Sequence, residues 1–467
     1  MRKIRHFQPQ NLSNPAWAFA RCGSADGPLL NAIAASARKP MAEALPQDLA
    51  NTAWAVAPLP FGDRPLLDAI ASQSIRPIPE FGPQELGNTA WALAPLTVEH
   101  RPLREAIASE AMRNIAAGGG APASPRGEMA DLQAVVGALG THGPWGERLL
   151  AAAVEAARRH GLALDAAAAG AAARKPGASS PAAGGGAPAE VPRMLADGPE
   201  LCVLWKPPQW TVSVYDGDEA PLGFDDDWRP TGGASALQDW LQEEFARRHP
   251  VAADPAVCHG LVHRLDRNTS GLLLWAKSYS AYFLARLMFA AHRVSKQYVC
   301  LCHGWMDAPP RAICAPLRTL LEDGRRTSAI SKDGRPSLTE SHGACHLADG
   351  GGERCSLVTV ALHTGRLHQI RVHLSSEHHP LVGDVTYGPA PRPGEPWRRT
   401  FLHAWRLCIP LPAAGGSPGP PAAAAAAGAA PIVAAECGLA ADLRLGLATL
   451  QPGDRRARTA LLRWSCG

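Results

Sequence analysis

The 467-residue chain has eleven cysteines but no C-x-x-C pair, and the two closest are Cys300 and Cys302. Nothing in that spacing builds a zinc site or a disulfide framework, so reduced thiols inside a cell are the expectation. No apolar run approaches the roughly 18 residues that a membrane-spanning helix needs. The opening stretch, MRKIRHFQPQNL, has no apolar signal core, so neither secretion nor membrane association is expected. A net charge of +4 is too small to demand a polyanionic partner on its own. What is present is an ordinary globular balance, 46% hydrophobic and 19% charged, in a length that suits two or three domains.

The first hundred residues repeat. Asn14-Pro-Ala-Trp17, Asn51-Thr-Ala-Trp54 and Asn88-Thr-Ala-Trp91 recur every 37 residues, and the Pro-Gln pairs at 9, 46 and 83 and the Pro-Leu pairs at 28, 65 and 102 keep the same step. Each unit reads as two helices: Leu49, Ala53, Trp54 and Ala57 have helical spacing, and a proline near the start of the second segment suits a first-turn position. Paired helices at such a period predict an α-solenoid in which units bury their apolar faces on one another, with the repeated Trp in the core. A degenerate fourth unit is expected from Asp131 to Arg159. The motif L-x-N-T-A-W-A-x-A resembles octotricopeptide repeats, a helical RNA-binding family of organelles, and that resemblance implies a role in holding RNA. The first repeat begins almost at Met1, so an array cut short at its start is expected.

Three regions follow from composition: a helical-repeat domain over 1–165, an Ala/Gly/Pro linker over 166–192 that cannot build a core, and a second domain over 193–467. A low-complexity insertion interrupts the last of these near 413–430. Within it, Leu201–Trp205, Gly271–Trp275, Tyr298–His303 and Ser356–His363 read as strands, while Ser280–His292 and Leu367–Glu377 have helical spacing. No regular strand–helix–strand alternation appears. An α+β domain with a mixed, largely antiparallel sheet is the expected fold class.

The chemistry concentrates around His263-Arg264-Leu265-Asp266-Arg267. From Arg264 to Lys296 there are six Lys/Arg and one acid, Asp266. A carboxylate between cations keeps a depressed pKa and stays ionised, as a nucleophile must; a structural aspartate in a surface ion pair would look the same in this stretch alone. The segment Leu367–Glu377 separates the two. Leu367, Ile370 and Leu374 form an apolar stripe with Arg371 inside it, and a guanidinium on a buried helix face needs a carboxylate. Thr364 is placed to cap that helix. By pattern alone Tyr298 is a half-buried strand residue.

Taken together, LCVLWKPP, HRLDRNTSGLLLWAKS, SKQYVCLCHG, TGRLHQIRVHLSSEHHPLVGDVTYG and FLHAWRLCIPLP resemble, in order, the signature blocks of RluA-type pseudouridine synthases. The resemblance implies the pseudouridine synthase fold and isomerisation of uridine within RNA, with ribosomal or transfer RNA as substrate and no metal or other cofactor. It assigns Asp266 as the catalytic carboxylate, attacking the ribose or the base. Arg371 is then its basic partner, and Tyr298 is the residue that packs on the base and helps remove the C5 proton. Arg264 is placed to fill the gap left by the extruded base. Arg264, Arg267, Lys296, Arg366 and His368 form the expected RNA-binding set, while Lys206 and Pro207 belong to a structural motif. Two departures from the family stand out: helical repeats take the place of an S4-like domain, and Tyr215–Gly233 and 413–430 are inserts. A monomer in an organelle, the cytoplasm or the nucleus is expected. The competing reading is an organellar RNA-binding factor whose synthase domain is silent, which intact Asp266, Tyr298 and Arg371 oppose. A metal site built from His363, His368, His373, His378 and His379 lacks a spacing that shares one face. Glycoside hydrolysis would want two paired acids.

Overall fold

The computed structural model describes residues 45–56, 71, 74–93, 101–116, 125–139, 143–172, 190–212, 236–307, 310–322, 325–332, 334–390, 396–411 and 432–466. Two compact units emerge. One comprises Met1–His160 with Arg286–Arg293 and Leu411–Pro431; the other comprises Gly161–Ala285, Val294–Pro410 and Ile432–Gly467.

In the first unit, α1 (Pro46–Val56) and α2 (Pro83–Leu93) are offset by the repeat period, each opening on a Pro-Gln pair. Proline is pre-shaped for a first helical position and loses no hydrogen bond there. The same register is buried in both, Leu49 and Ala53 in α1 and Leu86 and Ala90 in α2. Three further helices follow: α3 (Arg101–Ala116), α4 (Pro125–Leu139) and α5 (Gly143–Ala172). Helix α1 packs on α2, and α2 on α4. Where a fourth unit is expected the structure has α4 and α5, the first beginning at Pro125 rather than Asp131. The first repeat, with Trp17, the insertion over 413–430 and the side chains of Trp54 and Trp91 lie outside the described residues, so the expected tryptophan core does as well.

The expected linker boundary moves. Residues 166–172 continue α5 instead of opening a linker, because a run of alanine, the strongest helix former, extends a helix that is already nucleated. The rest of the expected linker, 173–189, lies outside the described residues.

The second unit is built on a ten-stranded sheet in the order β1-β2-β3-β10-β4-β9-β8-β12, with β11 beside β10 and β5 beside β8. The strands are β1 (Arg193–Asp197), β2 (Leu201–Lys206), β3 (Ser270–Ala276), β4 (Ser295–His303), β5 (Arg311–Cys314), β8 (Leu338–Ala348), β9 (Arg354–Leu362), β10 (Leu402–Pro410), β11 (Ile432–Glu436) and β12 (Gln451–Pro452), while β6 (Leu317–Glu322) and β7 (Arg325–Ile330) form a separate hairpin. Every pairing is antiparallel except β3 with β10. There Gly271 has φ +121°, and a Cβ would lie 2.1 Å from the Ala404 carbonyl oxygen; only glycine lets the two backbones approach so closely.

Strand alternation sorts side chains onto two faces. In β4, Tyr298, Cys300 and Cys302 join Leu265, Ile370 and Leu374 in one core. Val299 and Leu301 join Trp405, Leu443, Ala457 and Trp464 in the other. The helices follow the same division: α6 (Leu237–Phe245) and α8 (Gln369–Ser376) cover the first face, while α9 (Ala441–Leu447) and α10 (Arg455–Cys466) cover the second. Helix α7 (Tyr279–Ala290) follows β3 directly. Strands β2 and β3 are buried along their whole length, which is why each reads as an unbroken apolar run rather than an alternating one.

Candidate active site

The loop that carries Asp266 leads into β3 and is held from behind by two buried cations. Lys206, fully buried at the end of β2, donates to the carbonyls of Pro207 (3.1 Å), Arg267 (3.0 Å) and Thr269 (2.8 Å). An ammonium withdrawn from water needs such partners. Arg399 donates to the Asn268 carbonyl (2.7 Å) and the Ser270 hydroxyl (2.9 Å), and is itself fixed by Asp442. A turn closes between Thr269 N–H and the Asp266 carbonyl at 3.0 Å. The backbone around Asp266 is thus set by charge-assisted hydrogen bonds before any substrate arrives.

Helix α8 faces this loop. It starts at Gln369 rather than Leu367, because His368 has a left-handed φ of 52° that breaks the helix ahead of it. The expected Thr364 cap is absent as well. Its hydroxyl donates to the Gln369 side chain and accepts the Leu338 N–H, tying the helix start to β8. Ile370 and Leu374 are buried, with Arg371 between them.

The buried guanidinium finds its carboxylate, but the tight partner is not the expected one. Arg371 binds Asp384 in a two-pronged pair, Nε to Oδ2 at 2.7 Å and the second nitrogen to Oδ1 at 2.8 Å. Asp266 sits across its remaining nitrogen at 3.6 Å, an ion pair without a hydrogen bond. Asp384 is itself organised, with Oδ1 also accepting the N–H groups of Thr386 and Tyr387. The preceding Gly383 has φ +75°, and a Cβ there would lie 2.2 Å from the Arg399 carbonyl oxygen, so glycine alone fits the turn that aims Asp384. Tyr387 completes the set. Its ring lies 5.0 Å from the Arg371 guanidinium, and its hydroxyl accepts the Ser328 N–H at 2.8 Å and meets His368 Nδ1 at 2.9 Å.

Electrostatics follow from this placement. Burial pushes the Asp266 carboxyl up, but His368, Arg371, Arg264 and Lys206 together outweigh it and hold the group below its ordinary value. His368 helps only when protonated, and burial lowers its own pKa; at neutral pH the three permanent cations carry the effect. Arg371 is driven the other way, because its two carboxylate neighbours overcome burial and keep it charged. Burial, reinforced by Asp266, raises the Tyr298 phenol, which therefore stays protonated at neutral pH. Tyr298 is 5% exposed, while the Asp266 side chain keeps 19% of its surface open to solvent.

Of the expected RNA-binding residues, Arg264, Arg267, Lys296 and Arg366 are partly exposed, and Arg264 reaches the field of Asp266. His368 differs: it is buried behind the site, because its left-handed backbone turns the imidazole inward toward Tyr387. The histidines do not converge on an ion. His363 meets Glu340, His373 meets Thr339 and the Ala315 carbonyl, and His379 meets the His303 carbonyl. Among the described residues no three His, Cys, Asp or Glu are grouped as metal ligands, and no helix is long and apolar enough to cross a membrane.

A carboxylate kept ionised and partly open, a fixed cation beside it and a buried phenol on the same sheet face make a site for attack on an electrophilic carbon with proton transfer. The model of the RNA pseudouridylate synthase family matches residues 203–376, a span that holds Asp266, Tyr298 and Arg371. This segment is similar to the RNA pseudouridylate synthase family. Around it lies the pseudouridine synthase fold, with its mixed, mostly antiparallel sheet. The mouse protein named RNA pseudouridylate synthase domain-containing protein 1 is 36% identical over 185 residues, covering 37% of this chain and 59% of that protein. Ribosomal large subunit pseudouridine synthase C of Escherichia coli is 36% identical over 162 residues, covering 33% of this chain and 49% of its own length. The chain thus spans roughly half to three-fifths of these relatives. A solved structure, human RNA Pseudouridylate Synthase Domain Containing 1, aligns at a TM-score of 0.39 and 24% identity over 60% of this chain and 97% of that one. Asp384 lies just past the end of the matched span, so the synthase segment alone omits the residue that fixes its arginine.

Proposed function

We propose that this chain is an RNA pseudouridine synthase that isomerises uridine to pseudouridine in ribosomal or transfer RNA, with Asp266 as the catalytic carboxylate. The observation that carries this reading is the Asp384–Arg371–Asp266 arrangement. Asp384 takes both prongs of the guanidinium at 2.7 and 2.8 Å, so Arg371 faces Asp266 at 3.6 Å without capping its oxygens. The nucleophile is ionised by a neighbour that does not consume it.

In the reaction the N1–C1′ bond breaks, the uracil turns, a C5–C1′ bond forms, C5 releases its proton and N1 takes one up. Atoms and charge balance, with no redox change. The target base leaves its stack to reach the carboxylate, which costs a few kcal/mol. Asp266 attacks the ribose or the base, Arg371 steadies the charge on Asp266 as it changes, and Tyr298 packs on the ring. Because the Tyr298 phenol is protonated at neutral pH, it accepts the C5 proton only by giving up its own in the same step. Arg264, Arg267, Lys296 and Arg366 act on the RNA backbone and on the gap left by the base. The helices at the repeat spacing support a solenoid that holds the RNA.

The test is release of tritium to water from ribosomal and transfer RNA transcripts carrying [5-³H]uridine, because isomerisation replaces the C5–H bond. The full chain is expected to release label in step with pseudouridine formed. Pseudouridine-free RNA after complete incubation, across both RNA classes, would end the proposal.

A further inference from the structure

Helix α10 does no work at the site described above, yet it carries the densest positive charge of any described helix. Its sequence, RRARTALLRWSC, holds four arginines and no acid. Ala457 and Trp464 are buried and Ala460 and Leu461 partly so, giving one stripe against the sheet. Arg455, Arg456, Arg458 and Arg463 project from the opposite side. Arg463 lies over the rings of Trp405 and Trp464. Among the described residues Arg455, Arg456 and Arg458 form no ion pair. Two cations in a first turn, and like charges three residues apart at 455 and 458, work against helix stability. The arrangement is therefore not explained by the folding of α10.

A stacking group stands where this helix begins. Strand β12 pairs with the end of β8, and Gly453, two residues ahead of Arg455, donates its N–H to the His346 carbonyl at 3.0 Å. The His346 ring stacks on Trp305, with centroids 5.3 Å apart and planes 13° apart, and the exposed Arg354 lies 4.3 Å from the same indole. Trp305 is 45% exposed, though its Nε1–H is anchored to the Leu347 carbonyl. A large aromatic held rigid and half in water beside Arg354, with the exposed arginines of α10 on the helix that starts from the same strand edge, has the chemistry of a nucleic-acid contact: phosphates on the cations and a base on the ring. Acids are present nearby. Asp349 is engaged by the N–H groups of Gly351 and Glu353, and Asp454 by the Ala457 N–H.

We infer that the exposed face of α10, which lies on the opposite face of the sheet from Asp266, together with Trp305 and Arg354 at the β8 edge, is a second RNA-binding surface. It grips single-stranded RNA that flanks the target and passes around that edge. The inference rests on RNA being the substrate and names a contact beyond the catalytic cleft.

The experiment measures binding of the full chain to fluorescent poly(U) over a salt series, in an Asp266→Asn background so that chemistry plays no part. Each phosphate contact to a single strand adds about 0.7 to the slope of log affinity against log salt. The triple change R455A/R456A/R458A should lower that slope by about 2, whereas R455K/R456K/R458K should keep it. Trp305→Ala should weaken binding about tenfold at one salt concentration with the slope unchanged, and Trp305→Phe should restore most of it. These residues are exposed, and matched thermal melts check that the variants remain folded. An unchanged slope in the triple alanine variant overturns the inference. So does capture of phosphatidylserine vesicles or polyglutamate by this face without capture of poly(U). A chain that binds poly(U) through α10 but forms no pseudouridine in any RNA would overturn the enzymatic reading and leave this one standing.

Discussion

Replacing Asp384 with Asn is expected to destabilise the catalytic unit by about 3–5 kcal/mol, because it leaves the charged Arg371 buried without its two-pronged partner. Arg371 is then free to close the 3.6 Å gap to Asp266 and to cap the oxygen that must attack. Pseudouridine formation should fall at least about a hundredfold, near 3 kcal/mol of barrier, even at a temperature where the variant is folded. A second variant separates the two effects. Combining Arg371→Met with Asp384→Leu removes both buried charges, so most of the lost stability should return. Activity should not, because Asp266 then has no cation across from it. Thermal melts and single-turnover assays on the same preparations check both parts, and recovery of activity in the double variant would break the assigned roles.

Asp266→Asn is expected to act in the opposite proportion. It keeps the shape of the loop, which Lys206 and Arg399 hold through backbone carbonyls rather than through the Asp266 side chain. The melting temperature should shift far less than in the Asp384 variant. The rate should drop by at least about a thousandfold, about 4 kcal/mol of barrier, since an amide cannot supply the anionic oxygen. Mass spectrometry of pseudouridine in treated RNA reads the outcome. Near-wild-type product from this variant would favour a silent synthase domain and a different source of the modification.

How far the sequence foretold this site depends on how local each signal is. Arg371 was legible because Ile370 and Leu374 repeat at helical spacing around it, and a buried cation implies an acid somewhere. Which acid was not legible. Asp384 lies thirteen residues on, in a turn without periodicity, and only the folded chain brings it under the helix. Tyr387 and Arg399 were missed for the same reason: their partners Ser328, His368 and Asn268 are distant in sequence or held by irregular backbone. Apolar runs bounded by turns marked four strands, β2, β3 and β9 to within two residues and β4 three residues late at its start; the other eight carry no such run and were not legible. The start of α8 was not legible either, since a left-handed His368 is imposed by tertiary packing rather than by propensity. Composition misplaced the beginning of the linker, where alanine prolongs α5 to Ala172. Helices α1 and α2, 37 residues apart, share a proline start and the same buried positions.

The pH dependence of the single-turnover rate tests most directly whether Asp266 works as a carboxylate kept ionised by its cations. Its carboxyl lies below the ordinary value, so the active form is fully present above the usual carboxylate range and is lost only as pH falls through the lowered value. Between about pH 8 and about pH 5, well above the ordinary aspartate value, and wherever circular dichroism reports a folded chain, the rate should show no acid limb from this group. An acid limb centred near or above pH 5 in folded protein, removed when Asp266 alone is replaced by Glu or shifted by that change, would mean that Asp266 is protonated near neutrality and would contradict the account.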